Sequence, residues 1–125
     1  MLTSQPEPED SELLRRTYEA FNAGDVEAVL TLMHSDVDWP NAIEGGRVHG
    51  HDAVRAYWAD QFAEIDPRVE PLRFTSRGGG RIAVDVHQVV RALDGSPISD
   101  ARVVHVYAFR DGLVQCMNIE EAEGP

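Results

Sequence analysis

The stretch "HVYAFRDGLVQCMNIEE", residues 105 to 121, opens on a histidine and closes on two glutamates around two otherwise apolar-rich segments. A neutral imidazole takes and returns a proton near neutral pH, and an enclosed carboxylate beside it orients the ring or raises its basicity. His105 and Glu121 are therefore the expected catalytic pair, provided that both face the same side. Other chemistry-bearing residues are few. His49, His51 and Asp52 in "RVHGHD" have a ligand-like spacing, but no third ligand is evident and no metal is expected. Cys116, the single cysteine, rules out an intrachain disulfide and any multi-thiolate metal site; within a strand it reads as a small hydrophobe. All 11 basic residues are arginine, so Schiff-base chemistry on lysine is excluded. Glycines 78 to 80 have no adjacent lysine or helix start, and read as a strand connection rather than a phosphate loop.

The pattern around these residues predicts the elements that hold them. Residues 1 to 9 are acidic and proline-containing without periodicity, which predicts a frayed tail ahead of one domain over 10 to 125. Leu13, Leu14, Tyr18 and Phe21 recur at helical spacing behind Glu9, Asp10 and Glu12, which favour the amino end of a helix. Gly24 then supplies a left-handed cap, and Asp25 caps a second helix carrying Val26, Val29, Leu30 and Met33. After "HSDVDWP" and a glycine-rich loop, a third helix from about Asp52 presents Val54, Tyr57, Trp58, Phe62 and Ile65, and Asp66-Pro67 stops it. The remainder reads as four antiparallel strands: Val69 to Ser76, Ile82 to Leu93, Arg102 to Phe109 and Leu113 to Glu120, separated by "RGGG", "DGSP" and "RDG". The fold class is α+β, with three amino-terminal helices on one face of a curved, mainly antiparallel sheet.

Alternation assigns the faces. Ile82, Val84, Val86, Gln88 and Val90 share the side toward the helices, and His87 points outward. Gln88 is a polar amide among valines and needs a partner, water or ligand. The last hairpin has two registers. A two-residue Asp111-Gly112 turn pairs Phe109 with Val114 and Tyr107 with Cys116, whereas a type I turn with a glycine bulge pairs Phe109 with Leu113, His105 with Met117 and Val103 with Ile119. The second is preferred because it gathers Tyr107, Phe109, Leu113, Met117 and Ile119 inside, with His105 and Glu121. It leaves Val104, Val106, Ala108, Val114 and Cys116 on the convex face, a stripe apolar enough to expect a homodimer.

A formal net charge of −11 repels phosphate backbones and anionic membranes, so neither nucleic acid nor membrane is an expected partner. The start shows no secretory pattern and no apolar run approaches bilayer length, so a cytoplasmic location is expected.

The segments "YEAFNAGDVEAVLTLMHSDVDW", "GGRVHGHDAVRAYW" and "VYAFRDGLVQCMNIEE" together resemble the SnoaL-like branch of the nuclear transport factor 2-like superfamily, over roughly Ser11 to Ala122. The resemblance implies a cone-shaped α+β barrel around an internal, mostly apolar pocket, commonly in a homodimer. Relatives include polyketide cyclases, ketosteroid isomerases, epoxide hydrolases and dehydratases, so fold does not settle activity. Ketosteroid isomerisation needs a tyrosine, an aspartate and a carboxylic acid at positions that fall here on Thr17, Trp39 and His105; none matches, and that reaction is not expected. On this frame Trp39, Tyr57, Trp58, Tyr107, Met117 and Ile119 form the ligand-binding wall, with Thr17, Gln88, His105 and Glu121 as its polar points. Tyr18 and Phe62 read as core only. Two functions are compatible with such a pocket: a cofactor-independent acid/base enzyme (isomerase, cyclase or dehydratase type) acting on a small apolar oxygenated molecule, or a non-catalytic binding or dimeric module of the same fold.

Overall fold

In a computed structural model, which describes residues 8–41 and 44–122, helix α1 spans Pro8–Asn22 with Glu9 and Asp10 in its first turn. Leu14 and Tyr18 are buried, one helical turn apart, and Leu13 and Phe21 pack beside them. The helix stops as its sequence dictates. Gly24 adopts φ 72°, its N–H bonds the Phe21 carbonyl at 2.9 Å, and the Asp25 N–H reaches back to Ala20 at 2.9 Å. This double closure satisfies two otherwise orphaned carbonyls. Asp25 then caps α2 (Val26–Thr31), its carboxylate accepting from the Ala28 N–H at 3.1 Å. The expected frayed tail falls mainly on residues outside those described, but Pro8 and Glu9 are helical.

Two strands precede α3 that the sequence did not announce: β1 (Met33–Pro40) and β2 (Arg47–His49). Met33, Val37 and Trp39 of β1 are buried, but a register shift lies between Met33 and Asp38, so the alternation that marks a half-buried strand is interrupted. Gly50, at φ 85°, turns the chain into α3 (His51–Glu64), which buries Val54 and Trp58. The helix passes directly into β3 (Ile65–Gly78), followed by β4 (Arg81–Ala92), β5 (Pro97–Arg110) and β6 (Leu113–Glu121).

These strands form one sheet in the order β2-β1-β6-β5-β4-β3. All pairings are antiparallel except β1 with β6. Strands β2 and β3 are its two edges, so the cone is an open sheet rather than a closed barrel. Pro67 and Pro71 are tolerated in β3 because an edge strand has one side free of ladder bonds. Ile82, Val84 and Val86 face the helices as expected, and His87 points out to Asp100 at 2.7 Å.

The hairpin differs from the preferred register. Asp111 and Gly112 both adopt positive φ (55° and 75°), a two-residue turn whose twist matches the flanking strands, and Phe109 pairs with Val114. A bulge lies beyond that pair, so Tyr107 pairs with Met117, His105 with Ile119 and Val103 with Glu121. The bulge carries Val114 into the core beside Met117, removing it from the outer stripe. Among the described residues, no helix is long and apolar enough to cross a membrane.

Asn22 ties the end of α1 to the edge strand. Its side-chain amide donates to the Val69 carbonyl at 2.8 Å and accepts from the Val69 N–H at 2.9 Å, imitating a missing strand. Asn22→Ala is expected to cost about 1–3 kcal/mol in urea unfolding, because a part-buried backbone pair is left without partners. Asn22→Asp, which keeps only the acceptor, should fall between the two. An alanine variant as stable as the wild type would show that water replaces the amide freely.

Candidate functional site

His105 lies on β5 and Tyr107 two residues further, so the pleat points both toward the helices. His105 is 6% exposed, and Tyr18 of α1 meets it from above, its hydroxyl 2.9 Å from Nδ1. The Tyr107 hydroxyl donates to the Tyr18 oxygen at 2.8 Å. The Tyr18 and imidazole rings stack nearly parallel, at 9° and 6.0 Å between centroids, and Tyr107 stands edge-on to both.

Burial sets the protonation of this group. Desolvation lowers the His105 imidazole to about 4 and raises the Tyr107 phenol; Tyr18 is raised well above the usual phenol value by burial and by Tyr107. The ring is therefore neutral at pH 7. An unfolded chain protonates it near pH 6.5, so between that pH and about 4 the unfolded state binds more protons. Stability should be full above pH 6.5 and decline as pH falls through this window, by about 3 kcal/mol in total. Urea unfolding of wild type and His105→Asn from pH 7 to 4 should diverge by that amount. Parallel curves would mean that the imidazole is not held neutral.

These groups border an apolar cavity of about 40 Å³ lined by Thr17, Tyr18, Phe21, Val29, Trp39, Trp58, Val69, His105 and Tyr107. Trp39 and Trp58 meet edge to face at 5.2 Å and occupy much of the interior, leaving room for a few water-sized occupants. The Thr17 hydroxyl donates to the Leu13 carbonyl at 2.8 Å. Among the described residues, Nε2 of His105 has no hydrogen-bond partner, whereas Nδ1 has one.

Of the residues expected at the site, Thr17, Trp39, Trp58, His105 and Tyr107 line the cavity. Met117 is buried in the core cluster without lining it. Gln88 pairs with Val69 and Ala101 on the sheet but lies outside the cavity, and Tyr57 borders a surface groove with Asn41 and Asp60. Ile119 and Glu121 have the expected parity, opposite His105 and Val103, but β6 runs beyond the core after Met117 and both are exposed. Glu121 borders the outer groove of the sheet and does not orient His105. Tyr18, read as core, takes that position instead. Its helical spacing placed it inside, but only a contact across 87 residues made it the partner of His105.

His51 has a structural role, its Nε2 donating to the Met33 carbonyl at 2.9 Å, whereas His49 is exposed on β2.

The chain is similar to several solved structures. An NTF2-like protein of unknown function from Burkholderia pseudomallei K96243 is 28% identical, with 93% of this chain and 92% of that one covered and a TM-score of 0.79. TerC, co-crystallised with polyporic acid, is 26% identical, covers 91% of this chain and 92% of its own, and has a TM-score of 0.78. A protein provisionally named a polyketide cyclase, from Xanthomonas campestris, is 22% identical over 89% of this chain and 88% of that one at a TM-score of 0.74, and speaks for the fold alone. No curated protein matches the sequence. The SnoaL-like domain family matches residues 14–117, from the first helix to the core end of β6, and the chain therefore belongs to that family.

Proposed function

We propose that this chain is a small-molecule pocket protein whose chemistry, of general acid/base type, centres on His105. What supports it most is a neutral imidazole on the wall of an apolar cavity whose Nε2 has no partner among the described residues. That nitrogen is not sealed in the core, and it is free to bond a polar group that enters the cavity. The ligand in this reading is small, largely apolar and oxygenated, and the reactions are isomerisation, cyclisation or dehydration. TerC's co-crystallisation with polyporic acid favours an oxygenated ring compound. At about 40 Å³ the resting cavity is smaller than such a molecule, so binding requires the aromatic wall of Phe21, Trp39 and Trp58 to part.

A second reading, a binding module without turnover, is favoured by one observation: among the described residues, no carboxylate lines the cavity beside His105. A thermal-shift screen of polyketide-like, terpenoid and steroid compounds tests both, because a ligand of the folded state raises Tm by mass action. A stabilising compound that is also converted supports the enzyme, and one bound unchanged supports the module. No hit across the panel would remove the pocket as the site of function.

The homodimer is part of the same proposal. The outer face carries Ala83, Val104 and Val106; Ala83 and Val104 line a groove of about 580 Å³ together with charged residues such as Arg73, Arg77 and Arg102, and Leu72 stands at 45% exposure on its border. Val104 and Val106 are already buried within one chain, so charging them would disturb the fold itself. Leu72→Asp is the cleaner test, since it leaves the core intact and replaces an apolar side chain in the contact by a charge that must be desolvated there. The wild type should sediment as a dimer at micromolar concentration and the variant as a monomer. A monomeric wild type ends this proposal.

A further inference from the structure

The three-group chain of Tyr107, Tyr18 and His105 has only one arrangement in which every hydroxyl hydrogen is used. The Tyr107 hydroxyl is buried, and Tyr18 is its only hydrogen-bond partner among the described residues. If Tyr107 donates to Tyr18, the Tyr18 hydrogen goes to Nδ1 of His105, 2.9 Å away, and the ring's own proton must sit on Nε2. The reverse arrangement puts the proton on Nδ1, donating to the Tyr18 oxygen. Tyr18 then donates to Tyr107, and the Tyr107 hydrogen is stranded with no acceptor. Nε2 keeps access to the cavity, where water or a ligand can bond it in either tautomer, so the stranded, desolvated hydroxyl alone separates the two states, by roughly 5- to 150-fold.

We propose that Tyr18 is a positioning residue that holds neutral His105 as its Nε2–H tautomer, so that the cavity presents a hydrogen-bond donor and takes ligands whose buried polar group is a carbonyl-type oxygen. Two other lining residues, Trp39 and Trp58, carry an indole that can donate but cannot accept. Thr17 has spent its hydrogen on Leu13 and can only accept, so the carbonyl-type oxygen of the ligand is the group that meets Nε2. Nε2 thus enters as a donor to ligand oxygen, where negative charge on that oxygen strengthens the bond, and not as the base that removes a proton. Tyr107 steadies the Tyr18 oxygen but is not decisive. Without it, the reverse arrangement would strand the Tyr18 hydrogen instead, and the preference survives.

The ligand half of this inference rests on the pocket proposed for the chain's function; the tautomer half does not. Long-range proton–nitrogen correlation spectra of the ¹⁵N-labelled protein, with the His105 ring assigned by its loss in His105→Asn, should show Nε2 protonated and Nδ1 bare. Tyr107→Phe should keep that pattern, and Tyr18→Phe should lose it to a mixture of tautomers. A wild-type ring protonated on Nδ1, or a Tyr18→Phe ring identical to wild type, overturns the assignment. Two five-membered probes then read specificity: cyclopentanone, which only accepts, and pyrrole, whose ring N–H donates. The wild type should favour cyclopentanone by about tenfold, and Tyr18→Phe should narrow the difference. Equal affinity in the wild type, or a preference for pyrrole, overturns the specificity. If neither probe binds while the ring carries its proton on Nε2, the pocket reading falls and the tautomer assignment stands.

Discussion

Replacing His105 by asparagine is expected to lower turnover of a converted compound by about 10² to 10⁴, the usual contribution of one positioned acid, base or donor. The fold should persist. Asparagine is smaller than histidine but still polar, and its amide oxygen can accept from the Tyr18 hydroxyl that now meets Nδ1 at 2.9 Å. The substitution removes Nε2 from the cavity wall and, with it, the ring whose desolvation makes the protein sensitive to mild acid. Two measurements on one variant separate the roles. Lost turnover with little change in Tm at pH 7 places His105 in the chemistry. If the variant is destabilised by about 1–3 kcal/mol yet fully active once folded, His105 is a core residue, and the enzyme reading loses its main support.

Trp58→Ala should produce the largest stability loss, about 3–5 kcal/mol, with a fall in Tm on the order of 10 °C or more. Trp58 is 1% exposed and is wedged between Phe21 and Trp39, with ring centroids at 5.7 and 5.2 Å. Its removal leaves a void that three elements cannot collapse into together, since α1, β1 and α3 are each fixed elsewhere. That void would be continuous with the existing cavity, which Trp58 lines. Indole should therefore stabilise the variant but not the wild type, by about 2.7 kcal/mol at a hundredfold excess over its Kd. A variant that loses stability but gains nothing from indole would show that the wall closes over the gap, and that Trp58 does not limit the size of the ligand.

Much of this architecture was legible in the chain because it is local. The helix-to-helix corner at "NAGD" is written in four adjacent residues: glycine takes the left-handed position and aspartate caps the second helix. The alternation of β4 put Ile82, Val84 and Val86 inside, and the strand position of His105 put it there too. Strand β1 was not legible. Its alternation breaks at a register shift, and its partner β6 is about 80 residues away in a parallel pairing that no turn signals.

The site divides along the same line. The sequence by itself determined that the chain has the SnoaL-like fold, that His105 faces inward and that Trp39 and Trp58 stand with it, because period and pleat fix which way a side chain points. Only the tertiary structure decided what His105 meets. Glu121 has the right parity but lies where β6 has left the core, and solvent takes it. Tyr18, one apolar-face residue among several on α1, is brought to Nδ1 by the way that helix packs across the sheet. A residue's face is set by its neighbours in the chain, whereas its partner is set by packing between elements far apart in sequence. The exchange of a carboxylate for a phenol beside His105, and with it the tautomer of the ring, belongs to the second kind.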